Sequence, residues 1–309
     1  MYYFIVNLTS RTGRTKKSWA LIEQELKKRQ VSYKAYLSNY AGHVTELARM
    51  ICNKQEEDIC LVVVGGDGTV NEVINGMEHF EKVRFGYIPT GSGNDFGRGL
   101  GIATKQPLEA LNRILNAKEE FAIDIGRVVW NHGEDGRYFA ISSGIGFDAE
   151  VCEMALHSKI KNVLNKIGLG KLVYLVLTIK SLMHMEDLDA TICYDETEVC
   201  KLERMIFTAA MNQPYEGGGV PMAPDATCLD GELSVISVEH IPKIKRWTML
   251  IRLLNKKHNR INGCHLKNCK SLTLRTEQPM VVHADGEYCG RQNEIKYYIE
   301  PKKLRMLYK

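Results

Sequence analysis

The chain has 309 residues, room for one large domain or two ordinary ones, with 44% hydrophobic and 25% charged residues. That balance excludes a disordered polymer, and a net charge of +4 is too small to point to nucleic acid. Nine cysteines, an odd number with no Cys-x-x-Cys pair, exclude a small disulfide scaffold and lead us to expect reduced thiols in a cytoplasmic protein.

Residues 2–6 read as a first strand, with neither the basic flank nor the length of a signal peptide. Trp19, Ile22 and Leu26 then recur at helical spacing. Residues 31–37 suggest a second strand and 44–52 a second helix. The apolar run 59–64 ends in Gly65-Gly66, as expected of a strand buried on both faces of a parallel sheet. A helix is expected over 69–77 and a strand over 84–88. This alternation predicts a doubly wound α/β domain over 1–127. Beyond it, β-rich pieces dominate at 126–129, 138–142, 190–194, 205–211, 233–238, 271–275 and 280–284. Helical signals interrupt them at 147–185 and 241–255, predicting a second, mainly antiparallel domain over 128–290. Residues 294–307 are strand-like again. No apolar run reaches the roughly eighteen residues that a membrane-spanning helix needs.

Two glycine-rich loops follow successive strands. In Gly65-Gly66-Asp67-Gly68-Thr69-Val70-Asn71-Glu72, three glycines in four positions let the backbone approach a ligand, and the following helix offers amides to a phosphate. Asp67 stands where a phosphate-bound Mg²⁺ could be held. The plainer alternative is a tight strand-to-helix turn with Asp67 or Thr69 as N-cap. The string is neither a dinucleotide fingerprint nor a Walker A loop, which needs a lysine. The second loop, Pro89-Thr90-Gly91-Ser92-Gly93-Asn94-Asp95-Phe96-Gly97-Arg98, also lies at a strand C-terminus, where open α/β sheets gather ligands. Ser92 can donate to a phosphate oxygen, Asp95 can act on a metal, and Arg98 can pair with charge; the alternative is an Asx turn with a surface Arg.

Together with four further runs, these loops resemble the diacylglycerol kinase catalytic-domain superfamily, specifically the soluble bacterial lipid kinases related to sphingosine and ceramide kinases. The further runs are Ile123-Asp124-Ile125-Gly126, Gly144-Ile145-Gly146-Phe147-Asp148, the stretch Gly217-Gly218-Gly219 with Ala223-Pro224-Asp225-Ala226 and Leu229-Asp230-Gly231, and Ala284-Asp285-Gly286-Glu287. The resemblance covers nearly the whole chain. It implies an NAD-kinase-like α/β domain, a β-sandwich-like second domain, an active site in the cleft between them, and a terminal segment, 291–309, that returns to the first domain.

The resemblance also implies roles. Asp285 corresponds to the general base that takes the proton of the lipid hydroxyl; Asp67, Asp95 and Asp124 correspond to a carboxylate network at the catalytic Mg²⁺. Asn7, Ser10, Ser38, Gly65, Gly66, Asp67, Gly68, Thr69, Val70, Asn71 and Ser92 correspond to positions that contact ATP. Asp230, with backbone carbonyls near Thr227 and Glu232, corresponds to a structural metal site. Two departures stand out: Asn7-Leu8-Thr9-Ser10-Arg11 replaces the family's Asn-Pro-x-Ser-Gly, and Leu229-Asp230 replaces a pair of acids. Read from spacing alone, Asp285 is first a hairpin-turn aspartate, and only the resemblance makes it the base.

The charge is unevenly spread: residues 240–276 hold ten Lys or Arg and no acid. Lys243, Lys245, Arg246, Arg252, Lys256, Lys257 and Arg260 interleave there with Trp247, Leu250, Ile251 and Leu254. Such a basic amphipathic helix is expected either to touch an anionic membrane surface peripherally or to pack through Trp247 and Leu254. The apolar stretch 160–185 suits a core helix or a wall of an acyl cleft. The expected function is an ATP-dependent kinase, with Mg²⁺, for a diacylglycerol-like membrane lipid. A soluble-substrate kinase of the NAD kinase type and a non-enzymatic nucleotide or lipid sensor are the alternatives, and assembly as a homodimer stays open.

Overall fold

The computed structural model describes residues 1–8, 13–54, 58–157, 181–182 and 187–308. Four parallel strands begin the fold: β1 (Tyr2–Val6), β2 (Tyr33–Leu37), β3 (Ile59–Gly65) and β4 (Val83–Pro89). Their sheet order is β2-β1-β3-β4. Helices α1 (Arg14–Lys28), α2 (His43–Cys52), α3 (Asp67–Gly76), α4 (Asp95–Gly99) and α5 (Pro107–Leu115) connect and cover them. Every residue of β3 is buried, because helices shield both faces of a parallel sheet.

The second half is antiparallel. It comprises β5 (Glu120–Trp130), β6 (Asp135–Phe139), β7 (Ser142–Gly146), β8 (Leu188–Tyr194), β9 (Glu198–Met211), the hairpin β10 (Tyr215–Glu216) and β11 (Val220–Pro221), β12 (Leu233–Glu239), β13 (Cys264–Cys269), β14 (Ser271–Ala284) and β15 (Glu287–Leu307). Helix α6 (Phe147–His157) follows β7, and α7 (Arg246–Leu254) lies between β12 and β13.

One long strand joins the halves. β15 pairs with β14 through Tyr298, then with β5, and finally runs parallel to β4 at Arg305 and Met306. The expected boundaries after residues 127 and 290 therefore fall inside the continuous strands β5 and β15. The first hydrophobic core takes in Leu304, Met306 and Leu307, whereas Ile295, Tyr297 and Ile299 belong to the second. A bulge at residues 301–303 separates the two stretches of β15.

Some expected elements differ in detail. The strands expected at 271–275 and 280–284 are one strand with a register shift. The strand expected over 138–142 is broken by a corner at Ala140 and Ile141, where the chain passes from β6 to β7. α4, α5 and β13 were not expected. Of the stretch 160–185, all but residues 181–182 lies outside the described residues. The nine cysteines are free thiols, and no helix among the described residues is long and apolar enough to cross a membrane.

Candidate active site

The C-terminal ends of β1, β2 and β3 meet the start of α3. There Ser38 donates to Asn7 Oδ1 (3.1 Å), and Asn7 Nδ2 donates to Thr69 Oγ1 (3.0 Å). Three of the residues expected around ATP thus form one hydrogen-bonded chain, while Ser10 lies outside the described residues. Gly65 closes β3 against Thr69, and Gly66 sits beside Gly91 of the second loop: a Cβ on Gly91 would come within 2.6 Å of Gly66 Cα. Side chains at either glycine would force the loops apart. Ser92 is exposed at the loop tip, whereas the Val70 side chain is buried in the core, so any contact it makes with a nucleotide is through its backbone.

Asp67, at the first turn of α3, accepts a hydrogen bond from the Phe96 N–H (3.1 Å). Its Oδ2 and Asp95 Oδ2 converge on Gly93, where a Cβ would lie 2.9 and 3.6 Å from them. Burial pushes the Asp67 carboxyl up to about 6; the charge of Asp285 adds to that, while the Phe96 amide opposes it. Asp95 is buried and ion-paired with Arg98, and it accepts the Gly218 N–H (2.6 Å). Gly217, Gly218 and Gly219 all have positive φ, from 64 to 110°, a backbone that only glycine adopts three times running at low cost.

Asp285 closes the opposite side. It is the first residue of a two-residue Asp-Gly turn between β14 and β15, with φ 50°, so the hairpin reading is right. Yet its carboxylate is buried and accepts four hydrogen bonds. Oδ2 receives Asn71 Nδ2 (2.9 Å) and Ala140 N–H (2.8 Å). Oδ1 receives Ile141 N–H (2.8 Å) and Ser142 N–H (3.0 Å). The corner between β6 and β7 frees those amides from the sheet and aims them at the acid. Burial pushes the Asp285 carboxyl up and the four donors pull it back.

Asn71 is fully buried, and Arg137 donates to its Oδ1 (2.6 and 2.9 Å). Its side chain therefore orients Asp285, with its amide engaged by Asp285, the Tyr138 carbonyl and Arg137. Glu287, one residue past the turn, brings Oε1 within 3.2 Å of where a Cβ on Gly68 would stand. Asp124 does not join this group. It lies in β5 opposite the β15 bulge, and its two oxygens accept Lys302 N–H (2.6 Å) and Gly231 N–H (2.8 Å). Its placement is structural, stitching the terminal strand to the loop before β12. Asp230 is exposed and accepts the Glu232 N–H (3.0 Å); with Thr227 it belongs to the loop that Asp124 fastens.

Sequence reasoning missed a buried knot beneath Asp285. His283 Nε2 lies 3.1 Å from Asp148 and 3.4 Å from Glu216. Burial opposes charge on His283, but Glu216, Asp148 and Asp285 outweigh it and push it up to about 9. In its neutral form the ring accepts the Gly286 N–H at Nδ1 (3.1 Å) and carries its proton on Nε2, toward the two acids. The three residues form a hydrogen-bond knot whose ligand atoms all lie within 4.8 Å of one another, close enough that the same set could hold a cation. His283 stands near the end of β14, one residue before the Ala284-Asp285-Gly286-Glu287 run, and that nearness was the available signal.

Asp67, Asp285 and Glu287 crowd negative charge around the N-terminus of α3. Hard oxygen donors in that density suit Mg²⁺. Comparison with known proteins then decides the family. The diacylglycerol kinase catalytic domain matches residues 1–128, and the YegS C-terminal NAD kinase beta sandwich-like domain matches residues 141–308. The chain belongs to the diacylglycerol kinase-like lipid kinases. This lipid kinase is 30% identical to the Bacillus subtilis protein named "Putative lipid kinase YtlR" over 94% of each chain. It is 28% identical to the Bacillus subtilis "Diacylglycerol kinase", covering 93% of this chain and 89% of that one. A solved structure titled as a "putative diacylglycerol kinase" from Bacillus anthracis superposes with a TM-score of 0.76 at 22% identity, over 100% of the lipid kinase and 95% of that chain, a likeness of fold.

Proposed function

We propose that this lipid kinase transfers the γ-phosphate of ATP to the hydroxyl of a diacylglycerol-like lipid, giving phosphatidic acid for phospholipid synthesis. The observation that carries the reading is the facing pair of elements: a glycine-lined loop and helix N-terminus on one domain, and the buried Asp285 hairpin on the other. Phosphoryl transfer asks for little covalent work from the protein beyond holding the acceptor in line and offsetting charge. The loops at Gly66 and Gly91 admit the phosphates to backbone amides, with the chain Ser38–Asn7–Thr69 fixing the loop from below. Mg²⁺, when bound, would neutralise phosphate charge; Asp67 is the carboxylate best placed to hold it, with Glu287 across the helix terminus.

Asp285 takes the hydroxyl proton. Its four donors occupy all the acceptor positions of a carboxylate, so proton uptake requires one of them to move. Three are backbone amides fixed by the β6–β7 corner, and the fourth is the Asn71 amide, the one donor on a side chain. That bond is the one that yields as the hydroxyl arrives, while Arg137 on the Asn71 Oδ1 and the Tyr138 carbonyl on its Nδ2 keep the Asn71 amide beside the carboxylate to orient it. The Asp95–Arg98 pair and Gly218 hold the second loop against the glycine strap, and Asp124 keeps the terminal strand in place.

The test is to supply ATP and Mg²⁺ with diacylglycerol, monoacylglycerol, a sphingoid base and NAD in parallel and identify the products by mass. Phosphatidic acid as the main product supports the reading. Phosphorylated NAD, with no lipid product, would sink it in favour of a soluble-substrate kinase.

A further inference from the structure

Helix α7 has two apolar faces. Met249 and Leu253 are buried and pack it onto the second domain. On the other side Trp247, Ile251 and Leu254 are 57, 48 and 50% exposed, and Ile244, in the 3-10 turn that leads into the helix, is 76% exposed. Their spacing of three, four and three residues makes one outward stripe. A solvated helix face would be polar; this one is apolar and rimmed by the exposed cations Lys243, Lys245, Arg252, Lys256 and Lys257. The expected packing through Trp247 and Leu254 is therefore replaced by packing through Met249 and Leu253, which leaves Trp247 outside.

Arg246 does not belong to the rim. It is fully buried, ion-paired with Asp187, and donates to the carbonyls of Ile241 (3.2 Å) and Leu182 (3.0 Å). The helix is thus mounted rigidly from within while its outer face stays open. It is also joined to the site. Lys256 lies 5.6 Å from the centre of the Tyr215 ring, and Arg98, the partner of Asp95, lies 5.9 Å from the same ring. The β10–β11 hairpin that carries Tyr215 continues into the glycine strap whose Gly218 amide holds Asp95.

We infer that the outer face of α7, with the cations around it, docks on an anionic lipid bilayer and turns the mouth of the cleft toward it. Charge complementarity selects the occupant: an apolar stripe ringed by Lys and Arg, in a stretch of 37 residues with no acid, fits a surface of negative headgroups over acyl chains. A protein partner would have to supply an acidic rim around an apolar groove of matching shape, whereas a bilayer supplies both without one. The inference rests on the lipid-kinase reading only for its purpose, since docking itself needs neither nucleotide nor catalysis.

The test uses the full chain, without ATP, and vesicles of equal parts phosphatidylglycerol and phosphatidylcholine. Trp247 is the exposed one of three tryptophans, so its emission should shift to shorter wavelength on docking, and Trp247→Phe should bind but lose that shift. Trp247→Glu with Ile251→Glu should weaken vesicle binding by about tenfold or more. Lys256→Glu with Lys257→Glu should weaken it by about fivefold for each charge removed. Because all four side chains are exposed, melting temperatures should not change. Binding that is equal on pure phosphatidylcholine, or undiminished in both double variants, overturns the inference. So does a dimer in solution that Trp247→Glu disperses while vesicles are not bound, which would assign the face to a second copy. Vesicle docking without any lipid phosphorylation would leave this surface standing and remove the kinase reading instead.

Discussion

Asn71 shows how far a single side chain can be read from a motif. Its place in Gly-Gly-Asp-Gly-Thr-Val-Asn-Glu suggested a nucleotide contact, and four residues into α3 it faces the second domain, where it bridges Arg137 and Asp285. Asn71→Ala should lower kcat by about 10- to 100-fold, the worth of one hydrogen bond to a charged group, with little change in KM for ATP. A rise in KM alone would return it to the nucleotide. Asp67 makes a pH-dependent claim. Its folded pKa of about 6 stands above its ordinary value of 3.8, so the fold disfavours its ionised form. Stability is therefore lost as pH rises through about 6 and is regained toward pH 4. Asp67→Asn should raise the melting temperature of metal-free protein at pH 7.5 and have little effect at pH 4.5. Mg²⁺ should stabilise the wild type at pH 7.5 and fail to stabilise that variant.

At the scale of elements, the parallel strands and the long helices were legible because continuous apolar runs and helical spacing both mark burial directly. The turn at Asp285 and Gly286 was legible as a hairpin for the same local reason. The four donors on Asp285 were not, since three come from a corner that interrupts an otherwise strand-like sequence at Ala140 and Ile141. Helix α7 was legible as amphipathic, but which apolar residues point inward depends on the domain it packs against. Arg246 is the sharpest case: it reads as one more surface cation and proves to be the buried anchor of the helix. Removing one partner of a buried pair costs about 3–5 kcal/mol. Asp187→Asn should therefore destabilise the protein by about that much in urea unfolding, and Lys243→Asn, at an exposed position, by almost nothing.

Across the whole molecule, both domains contribute to one sheet, of 13 strands among the described residues, and β15 crosses between their cores. Composition could suggest two domains but could not show that they share strands, because the pairing of β15 with β4 joins residues some two hundred positions apart. That shared strand fixes the Asp285 hairpin relative to the loops at Gly66 and Gly91, and the cleft is where the two meet. The central claim is that this cleft performs phosphoryl transfer with Asp285 as its base. The most direct measurement is single-turnover transfer from γ-labelled ATP with Mg²⁺ to diacylglycerol in anionic vesicles, comparing wild type with Asp285→Asn, a residue that tolerates the positive φ of the turn. Labelled phosphatidic acid from the wild type, and a rate about 10²- to 10⁴-fold lower for the variant with ATP binding retained, is the predicted result. A variant that transfers within a few-fold of wild type would contradict the role of Asp285, and a wild type that labels no lipid would contradict the account as a whole.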